Sequence, residues 1–360
     1  MNNTYLPYFD GFRGIAIMLV ILGHLGFGNF IPGGFGVTLF FFISGFLITR
    51  LLIFEYHKNQ TIDIKKFYVR RLLRLYPALL TMIAVTSALI FLTCSNASVK
   101  PYIFSGIFYY TNYYISFFRS AAPLDCERVF DALWSLAVEE HFYLFFPFIF
   151  LFFNKNTRHL ISILILIAIL SLLIRLFILM FNNDFNQSSL IIYHSTHTRV
   201  DSIIYGCLSA ILIYKQNSKT YMGILNNKLT VFIGVALILI SLLYRDPLFR
   251  ESIRYSIQGL ALMLLLPGPM FYPSDSLLKK LIESPALIFI GKLSYSLYLF
   301  NGLCIMMMNE YFQENFFEGV HSAKWMAATI SLTIIFSLTS YYLVEKPFVH
   351  IRKQFGSNVL

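Results

Sequence analysis

Long apolar runs, each about as long as a membrane-spanning helix, recur along almost the whole chain. A helix needs about 20 mainly apolar residues to cross the hydrocarbon core of a bilayer. Ten strong candidates meet that requirement, at 12–28, 36–54, 72–94, 134–153, 160–181, 199–215, 229–244, 253–270, 289–310 and 324–345. The pattern predicts an all-α protein, a polytopic transmembrane helix bundle with about ten spanning helices.

An eleventh run, at 101–118, is aromatic but also rich in Tyr, Asn and Ser, and whether it crosses decides the topology. Loops rich in Lys and Arg face the cytoplasm, and the most basic loop is 55–74, after the second span. If 101–118 does not cross, the basic segments at 154–159, 214–228 and 345–354 fall on the same side as that loop. We therefore expect a re-entrant or interfacial segment at 101–118 and both termini in the cytoplasm.

Composition supports a membrane protein with no nucleic-acid partner. Of the 360 residues, 57% are hydrophobic and only 13% are charged. The net charge of +10 is then the positive-inside bias of membrane loops. The longest stretch outside the spans, 95–133, is too short for a separate soluble domain of ordinary size. We expect residues 1–360 to form a single membrane domain.

The cysteines predict neither a metal site nor a disulfide. No metal-ligand spacing relates Cys94, Cys126, Cys207 and Cys304, and three of them lie in or beside apolar runs. We interpret all four as small core residues.

The first span carries ionisable residues inside the stretch DGFRGIAIMLVILGH. Asp10 opens it, and Arg13 and His24 are eleven positions apart, which places them on one helix face about 16 Å from each other. Ionisable groups inside a bilayer are expensive and indicate a functional site by default. His24 is the leading acid/base candidate because imidazole titrates near neutral pH. The alternative is a structural histidine bonded to a neighbouring helix.

A second cluster, KKFYVRRLLRLYP, is suited to binding an anion. Arg70 and Arg74 are one helical turn apart on one face, and Arg71 lies beside them. The planar guanidinium of arginine donates paired hydrogen bonds to phosphate oxygens, and partial desolvation at the membrane surface strengthens each contact. The alternative is a topological anchor that touches lipid headgroups.

A third cluster, LWSLAVEEHFYLFFP, opens the fourth span. It contains Trp134, Ser135, Tyr143 and two adjacent carboxylates, Glu139 and Glu140. Two carboxylates in a membrane segment have no ordinary packing role. One is expected to orient an imidazole while the other pairs with Arg13 or a substrate hydroxyl; the alternative is a buried structural ion pair.

Two further stretches carry weaker signals. In HSTHTRVDSIIYG, His194 and His197 lack a third ligand for a metal, and Arg199 and Asp201 are expected to pair with each other or to line a cavity. In GKLSYSLYLFN, the side chains of Ser294, Tyr298 and Asn301 share one helical face as polar lining or interhelical bonds.

Along nearly its whole length the chain resembles the acyltransferase 3 family of integral-membrane O-acyltransferases, which includes bacterial surface polysaccharide O-acetyltransferases. The resembling segments, in order, are YFDGFRGIAIMLVILGH, GGFGVTLFFFISGFLIT, FYVRRLLRLYPAL, WSLAVEEHFYLFFP, TRVDSIIYGCL, GKLSYSLYLFN and YYLVEKPF. The family's Arg and His pair falls on Arg13 and His24. Its basic donor segment falls on Arg70, Arg71 and Arg74.

The resemblance also assigns the family's Trp-Ser-Leu and double-Glu stretch to Trp134, Ser135, Glu139 and Glu140. Two departures matter. Family members often have His where Asn301 stands, which questions a catalytic role for that position. Some members carry a C-terminal periplasmic hydrolase-like domain, which we do not expect in this chain.

The resemblance implies transfer of an acetyl or other short acyl group from cytoplasmic acyl-CoA to a hydroxyl of a surface glycan, such as lipopolysaccharide O-antigen, capsule or exopolysaccharide. It also implies a bacterial inner-membrane location, polysaccharide-assembly partners and no metal. Arg70, Arg71 and Arg74 would hold the CoA phosphates, and His24, oriented by Glu139 or Glu140, would deprotonate the acceptor or carry the acyl group.

Two other functions remain open from the residues alone. A glycan-precursor transporter or flippase would use the same charged residues as a permeation path, although the chain shows no internal repeat of the kind found in many transporters. A scaffold within an export complex would tolerate neutral replacements of His24 and Glu139.

Overall fold

A computed structural model describes residues 5–28, 30–94, 97–119, 124, 126–273, 276–312 and 322–355. Its ordered elements are helical, and no strand occurs within these ranges. The α-helices are α1 (Pro7–Leu22), α2 (Gly33–Asn59), α3 (Ile64–Thr93), α4 (Val99–Ile107), α5 (Thr111–Tyr113), α6 (Leu133–Phe153), α7 (Thr157–Phe181), α8 (Phe185–His194), α9 (Thr196–Ala210), α10 (Lys219–Leu225), α11 (Lys228–Leu243), α12 (Pro247–Glu251), α13 (Ile253–Leu265), α14 (Leu277–Ile282), α15 (Pro285–Phe312), α16 (Ala323–Ser340) and α17 (Lys346–Lys353).

Seven segments of the described chain are long and apolar enough to cross a membrane, which confirms the predicted all-α membrane bundle. They are Pro7–Phe27, Gly33–Asn59, Ile64–Thr93, Glu127–Phe153, Thr157–Phe181, Pro285–Phe312 and Ala323–Lys353. The pair α10 and α11, bent by 72°, makes an eighth if it is one span. The other predicted spans, 199–215, 229–244 and 253–270, coincide with the shorter helices α9, α11 and α13. The total of ten spans therefore stays a prediction.

The segment 101–118 does not form one long helix. It is divided between α4, the short α5 and a π-helical turn at Tyr114–Phe118. The break contains Tyr109, whose backbone adopts the left-handed conformation with φ 53°. A segment broken into pieces this short does not cross a bilayer as a single helix, as the sequence predicts.

Two pairs of helices come so close together where they cross that only glycine fits at the crossing points. A Cβ added at Gly14 of α1 would lie 2.4 Å from a backbone oxygen of α15, and one at Gly291 of α15 would lie 1.8 Å from a backbone oxygen of α1. Where α2 crosses α9, a Cβ added at Gly45 or at Gly206 would likewise lie 2.0 Å from a backbone oxygen of the opposing helix. Small residues of this kind let membrane helices pack by van der Waals contact.

The interpretation of all four cysteines as core residues is wrong for two of them. Cys94, at the end of α3, and Cys126, just before α6, form a disulfide with a Cα–Cα distance of 6.8 Å. Cys207 and Cys304 are free and buried. The disulfide encloses the segment that contains α4 and α5, and disulfides persist in oxidising compartments. This end of α3 is opposite the basic loop that we expect in the cytoplasm.

The predicted topology can be tested with one freed thiol. In a Cys126→Ser variant, Cys94 is reduced and half-buried, and we expect a membrane-impermeant maleimide to label it in intact cells or spheroplasts. The double variant Cys94→Ser with Cys126→Ser keeps only the two buried cysteines and should stay unlabelled. Labelling of Cys94 only after the membrane is opened would place this end of α3 inside and reverse the topology.

Candidate functional site

His24 lies where the first span stops being a regular helix. The segment Gly23–Phe27 is π-helical, and Gly26 adopts the left-handed conformation with φ 93°, which costs glycine little. The residue lies deep within the protein, yet its side chain keeps accessible surface. The residue is therefore not sealed among packed side chains.

Asn301 of α15 holds the imidazole. The His24 Nδ1 lies 2.9 Å from the Asn301 Oδ1, and Asn301 itself is 2% exposed. An amide oxygen only accepts hydrogen bonds, so Nδ1 carries the proton and Nε2 keeps its lone pair. This arrangement leaves Nε2 able to accept a proton or to attack a carbonyl carbon. Contrary to the expectation, the residue that bonds the His24 ring in this structure is Asn301 and not a glutamate.

The double-glutamate pair has other partners. The Glu139 carboxylate accepts hydrogen bonds from the Ser44 hydroxyl at 2.7 Å and the Tyr143 hydroxyl at 2.9 Å. The Arg71 guanidinium lies 4.0 Å from the centre of the Tyr143 ring, a cation–π contact. Glu140 has one buried carboxylate oxygen with no hydrogen-bond partner among the described residues. Both glutamates lie within electrostatic reach of Arg71 and therefore face the arginines of α3.

Arg13 pairs with Asp10 and not with a glutamate of α6, contrary to the expectation. Their side chains are 3.3 Å apart, one helical turn from each other on α1. Asp10 also accepts a hydrogen bond from the Tyr5 hydroxyl at 2.5 Å. The pair is partly exposed, so the Arg13 charge is only partly neutralised.

Positive charge converges where α1, α3 and α17 meet. Arg74 lies within electrostatic reach of Arg13, Arg71 and Arg352. Within the described ranges neither Arg71 nor Arg74 makes an ion pair with a carboxylate. We call Arg13, Arg71 and Arg74 the arginine cluster. Like charges held this close together repel, and a polyanion would relieve that repulsion.

Arg70 stands apart from the arginine cluster. It forms an ion pair with Glu55 at 2.7 Å and donates a hydrogen bond to the Phe355 carbonyl oxygen at 3.2 Å. Glu55 therefore largely offsets the Arg70 charge, and the terminal guanidinium nitrogens of Arg70 already donate hydrogen bonds. The structure thus separates Arg70 from the two arginines with which the sequence grouped it.

The side chains of α15 that share a face with Asn301 continue the polar layer. The Tyr298 hydroxyl donates to the Ala132 carbonyl oxygen at 2.9 Å and lies 2.7 Å from the Ser135 hydroxyl. Ser294 is buried, and its hydroxyl has no partner within the described chain. The predicted shared face is confirmed, and Ser135 and Tyr298 join α6 to α15 at the level of the site.

Arg199 and Asp201 do not pair with each other. Asp201 forms a fully buried ion pair with Arg175 of α7 at 2.8 Å. Arg199 is buried among four aromatic rings, with the Tyr255 ring centre 4.0 Å from its guanidinium and the Trp134 ring centre 5.5 Å away. Arg199 and Asp201 have no accessible surface, so their contacts are structural and join α9 to its neighbours.

Three polar residues in or near the segment 101–118, Asn112, Tyr113 and Thr196, were not singled out from the sequence. His141 Nδ1 lies 2.7 Å from the Thr196 hydroxyl, which accepts a hydrogen bond from the Asn112 amide at 2.9 Å. Tyr113 stacks between His141 and His197. These contacts fasten α5 to α6 and α9. The sequence signal was the dense polar content of 101–118, which marks a segment held by side-chain bonds.

Nothing in the described part of the chain groups three or more His, Cys, Asp or Glu side chains in a way that could hold a metal ion. His194 instead bonds the Leu190 carbonyl oxygen at 2.8 Å, and its ring meets the edge of Trp134. His197 lies 3.3 Å from the Tyr113 hydroxyl.

Comparisons with known proteins agree on one family. A family model described as an acyltransferase domain, Acyl_transf_3, matches residues 6–344. The O-acetyltransferase OatA of Staphylococcus aureus strain NCTC 8325 is 33% identical over 374 residues, which cover 98% of this chain and 58% of that protein. The protein named "Putative O-acetyltransferase SACOL0978", of Staphylococcus aureus strain COL, is 32% identical over 361 residues.

The chain thus spans little more than half the length of these relatives, 57% in the second case. No solved structure is significantly similar to it.

Proposed function

Because the chain belongs to the acyltransferase 3 family, we propose that this membrane protein is an O-acetyltransferase that moves an acetyl or other short acyl group from cytoplasmic acyl-CoA to a hydroxyl of a cell-surface glycan. One observation carries the proposal. The same span, Pro7–Phe27, contributes Arg13 to the arginine cluster and His24 to a polar pair with Asn301, so an anion site and a proton-accepting imidazole lie along one span.

The arginine cluster suits the donor. Acyl-CoA has a 3′-phosphate and a pyrophosphate at one end and an uncharged pantetheine arm that ends in the thioester. Arginine forks bind phosphate by charge-assisted hydrogen bonds, and Arg71 and Arg74 have no carboxylate partner within the described chain that would compete. Arg13 and His24 are about 16 Å apart along the helix, which a pantetheine arm can span.

The imidazole suits the transfer step. His24 Nε2 accepts the proton of the attacking hydroxyl, the oxygen adds to the thioester carbonyl, and the CoA thiolate leaves and takes up the proton. Alternatively, Nε2 attacks the carbonyl first and carries the acyl group until the acceptor arrives. Both routes use the same tautomer, which the Asn301 contact supports. Glu139 and Glu140 would hold the arginine cluster and Tyr143 in place around the donor phosphates.

The acceptor would approach from the other side of the membrane. With both termini in the cytoplasm of a bacterium and the chain in the inner membrane, the arginine cluster faces inward. His24, near the far end of the first span, and the segment 101–118 then lie toward the outer face. An O-antigen, capsule or exopolysaccharide unit is the class of acceptor that fits this placement, and polysaccharide-assembly proteins are the expected partners.

The proposed activity is tested by following radiolabelled acetyl-CoA into extracted glycan in membrane vesicles. We expect label to enter glycan with the wild type and with His159→Ala, an exposed control, and to fall by at least about 100-fold with His24→Ala. Label retained on the protein when acceptor is withheld would indicate the acyl-histidine route. Equal labelling by wild type and His24→Ala, with equal insertion of both, would contradict the proposal, as would failure to consume acyl-CoA with an authentic acceptor extract.

Donor binding gives a second prediction. Arg74→Gln removes a charge with no carboxylate partner, so we expect the KM for acetyl-CoA to rise by roughly 10- to 100-fold while kcat falls less. Arg70→Gln should have a smaller effect because Glu55 already offsets that charge. Exposed Arg158→Gln is the matched control. A KM for acetyl-CoA that is insensitive to Arg74 would rule out this cluster as the donor site.

A further inference from the structure

Only one of the two polar atoms of the Asn301 side-chain amide makes a hydrogen bond within the described chain. Its Oδ1 holds the His24 ring, whereas its Nδ2, a donor of two hydrogens, is buried and has no hydrogen-bond partner among the described residues. The residue is 2% exposed, so the donor is almost sealed from bulk solvent. Leaving a buried donor unpaired costs about 1–3 kcal/mol, and such a group in a folded protein calls for a functional explanation.

The position of this donor narrows the explanation. Nδ2 and Oδ1 belong to one planar amide, so the unengaged N–H groups lie beside the imidazole. One turn away on α15, the Tyr298 hydroxyl is already committed, because it bonds Ala132 and Ser135. The Ser294 hydroxyl is also unpartnered but lies seven residues, about 10 Å, farther along α15.

The chemical type of this unpaired group narrows the functional explanation further. The amide of Asn112 is also half engaged, but there the unpartnered atom is the oxygen, an acceptor. An acceptor would repel a developing negative charge, whereas the Asn301 N–H groups would attract it. The unengaged group beside His24 therefore has the polarity that stabilises an anion.

We propose that Asn301 is a catalytic residue whose Nδ2 donates a hydrogen bond to the oxyanion of acyl transfer, while its Oδ1 holds the base. This inference rests on the proposed function. When the acceptor oxygen or His24 Nε2 bonds to the thioester carbonyl carbon, the C=O π electrons move onto the carbonyl oxygen. Nδ2 binds that oxyanion. The electrons return as the C–S bond breaks. On the direct route the CoA thiolate takes up the proton that the imidazole collected from the acceptor hydroxyl, and on the acyl-histidine route it leaves as the thiolate and takes a proton from water.

The substitution Asn301→Asp separates the two roles. Aspartate keeps an oxygen for the His24 Nδ1–H and has nearly the same shape, but it lacks the N–H donor. We expect kcat for acetyl transfer to fall about 100- to 1000-fold, the usual effect of removing one oxyanion donor, with little change in the KM for acetyl-CoA. The carboxylate also stabilises the imidazolium, so the acidic limb of the pH profile should move to higher pH, which would show that the new side chain contacts His24.

Asn309→Asp is the matched control. It is the same change on the same helix, at a residue whose Oδ1 accepts a hydrogen bond from the Trp325 indole N–H, and its activity should stay near that of the wild type. If Asn301→Asp shifts the pH profile but keeps kcat within a few-fold, Asn301 only positions the base and the inference is wrong. If the wild type itself transfers no acetyl group, the proposed function fails instead.

A second measurement covers the case in which the aspartate variant does not insert. In Asn301→Ala, added formamide supplies both an acceptor and a donor in the space left by the side chain, whereas formate supplies acceptors only. We expect formamide to raise kcat at least about tenfold and formate to leave it unchanged. Equal rescue by the two molecules, or none by formamide, would overturn the donor role.

Discussion

The close crossing of α1 and α15 is the constraint on which the site depends. At Gly14 and Gly291 the two backbones are so near that any Cβ would overlap a carbonyl oxygen of the other helix. Without a hydrophobic driving force between helices in lipid, such contact is what holds them together. The crossing fixes Asn301 beside His24, which lies in the π-helical segment Gly23–Phe27 that follows α1. A larger residue at either glycine would push the base away from the amide that holds it.

Charge is the second constraint. Buried charges in a membrane domain are normally paired, as Arg175 and Asp201 are. Arg71 and Arg74 depart from that pattern, since no carboxylate pairs with either within the described ranges, although Glu139 and Glu140 are near. Several unpaired cations raise the free energy of the folded protein unless an anion binds to them. The same protein thus contains one fully neutralised buried pair, which joins helices, and one positive region, which is suited to a ligand.

The sequence predicts the helices better than it predicts the contacts between them. Long apolar runs define most spans, and polar content marks 101–118 as exceptional, because hydrophobic length and polarity are local properties. The sequence also predicts which residues lie along the same span, as Arg13 and His24 do. Partners across helices are not. His24 and Asn301 are 277 positions apart, and their contact arises only from the packing of α1 on α15. The pairs Arg175–Asp201 and Cys94–Cys126 were missed for the same reason.

The central claim is that a single path inside the bundle joins the arginine cluster to His24 and its amide. The most direct measurement is a cryo-electron microscopy structure of the protein with a non-reactive acetyl-CoA analogue. The claim predicts density for the phosphates against Arg71 and Arg74 and for the acyl end beside His24 Nε2 and Asn301. Phosphates bound elsewhere, or an acyl end that stops short of His24, would contradict it.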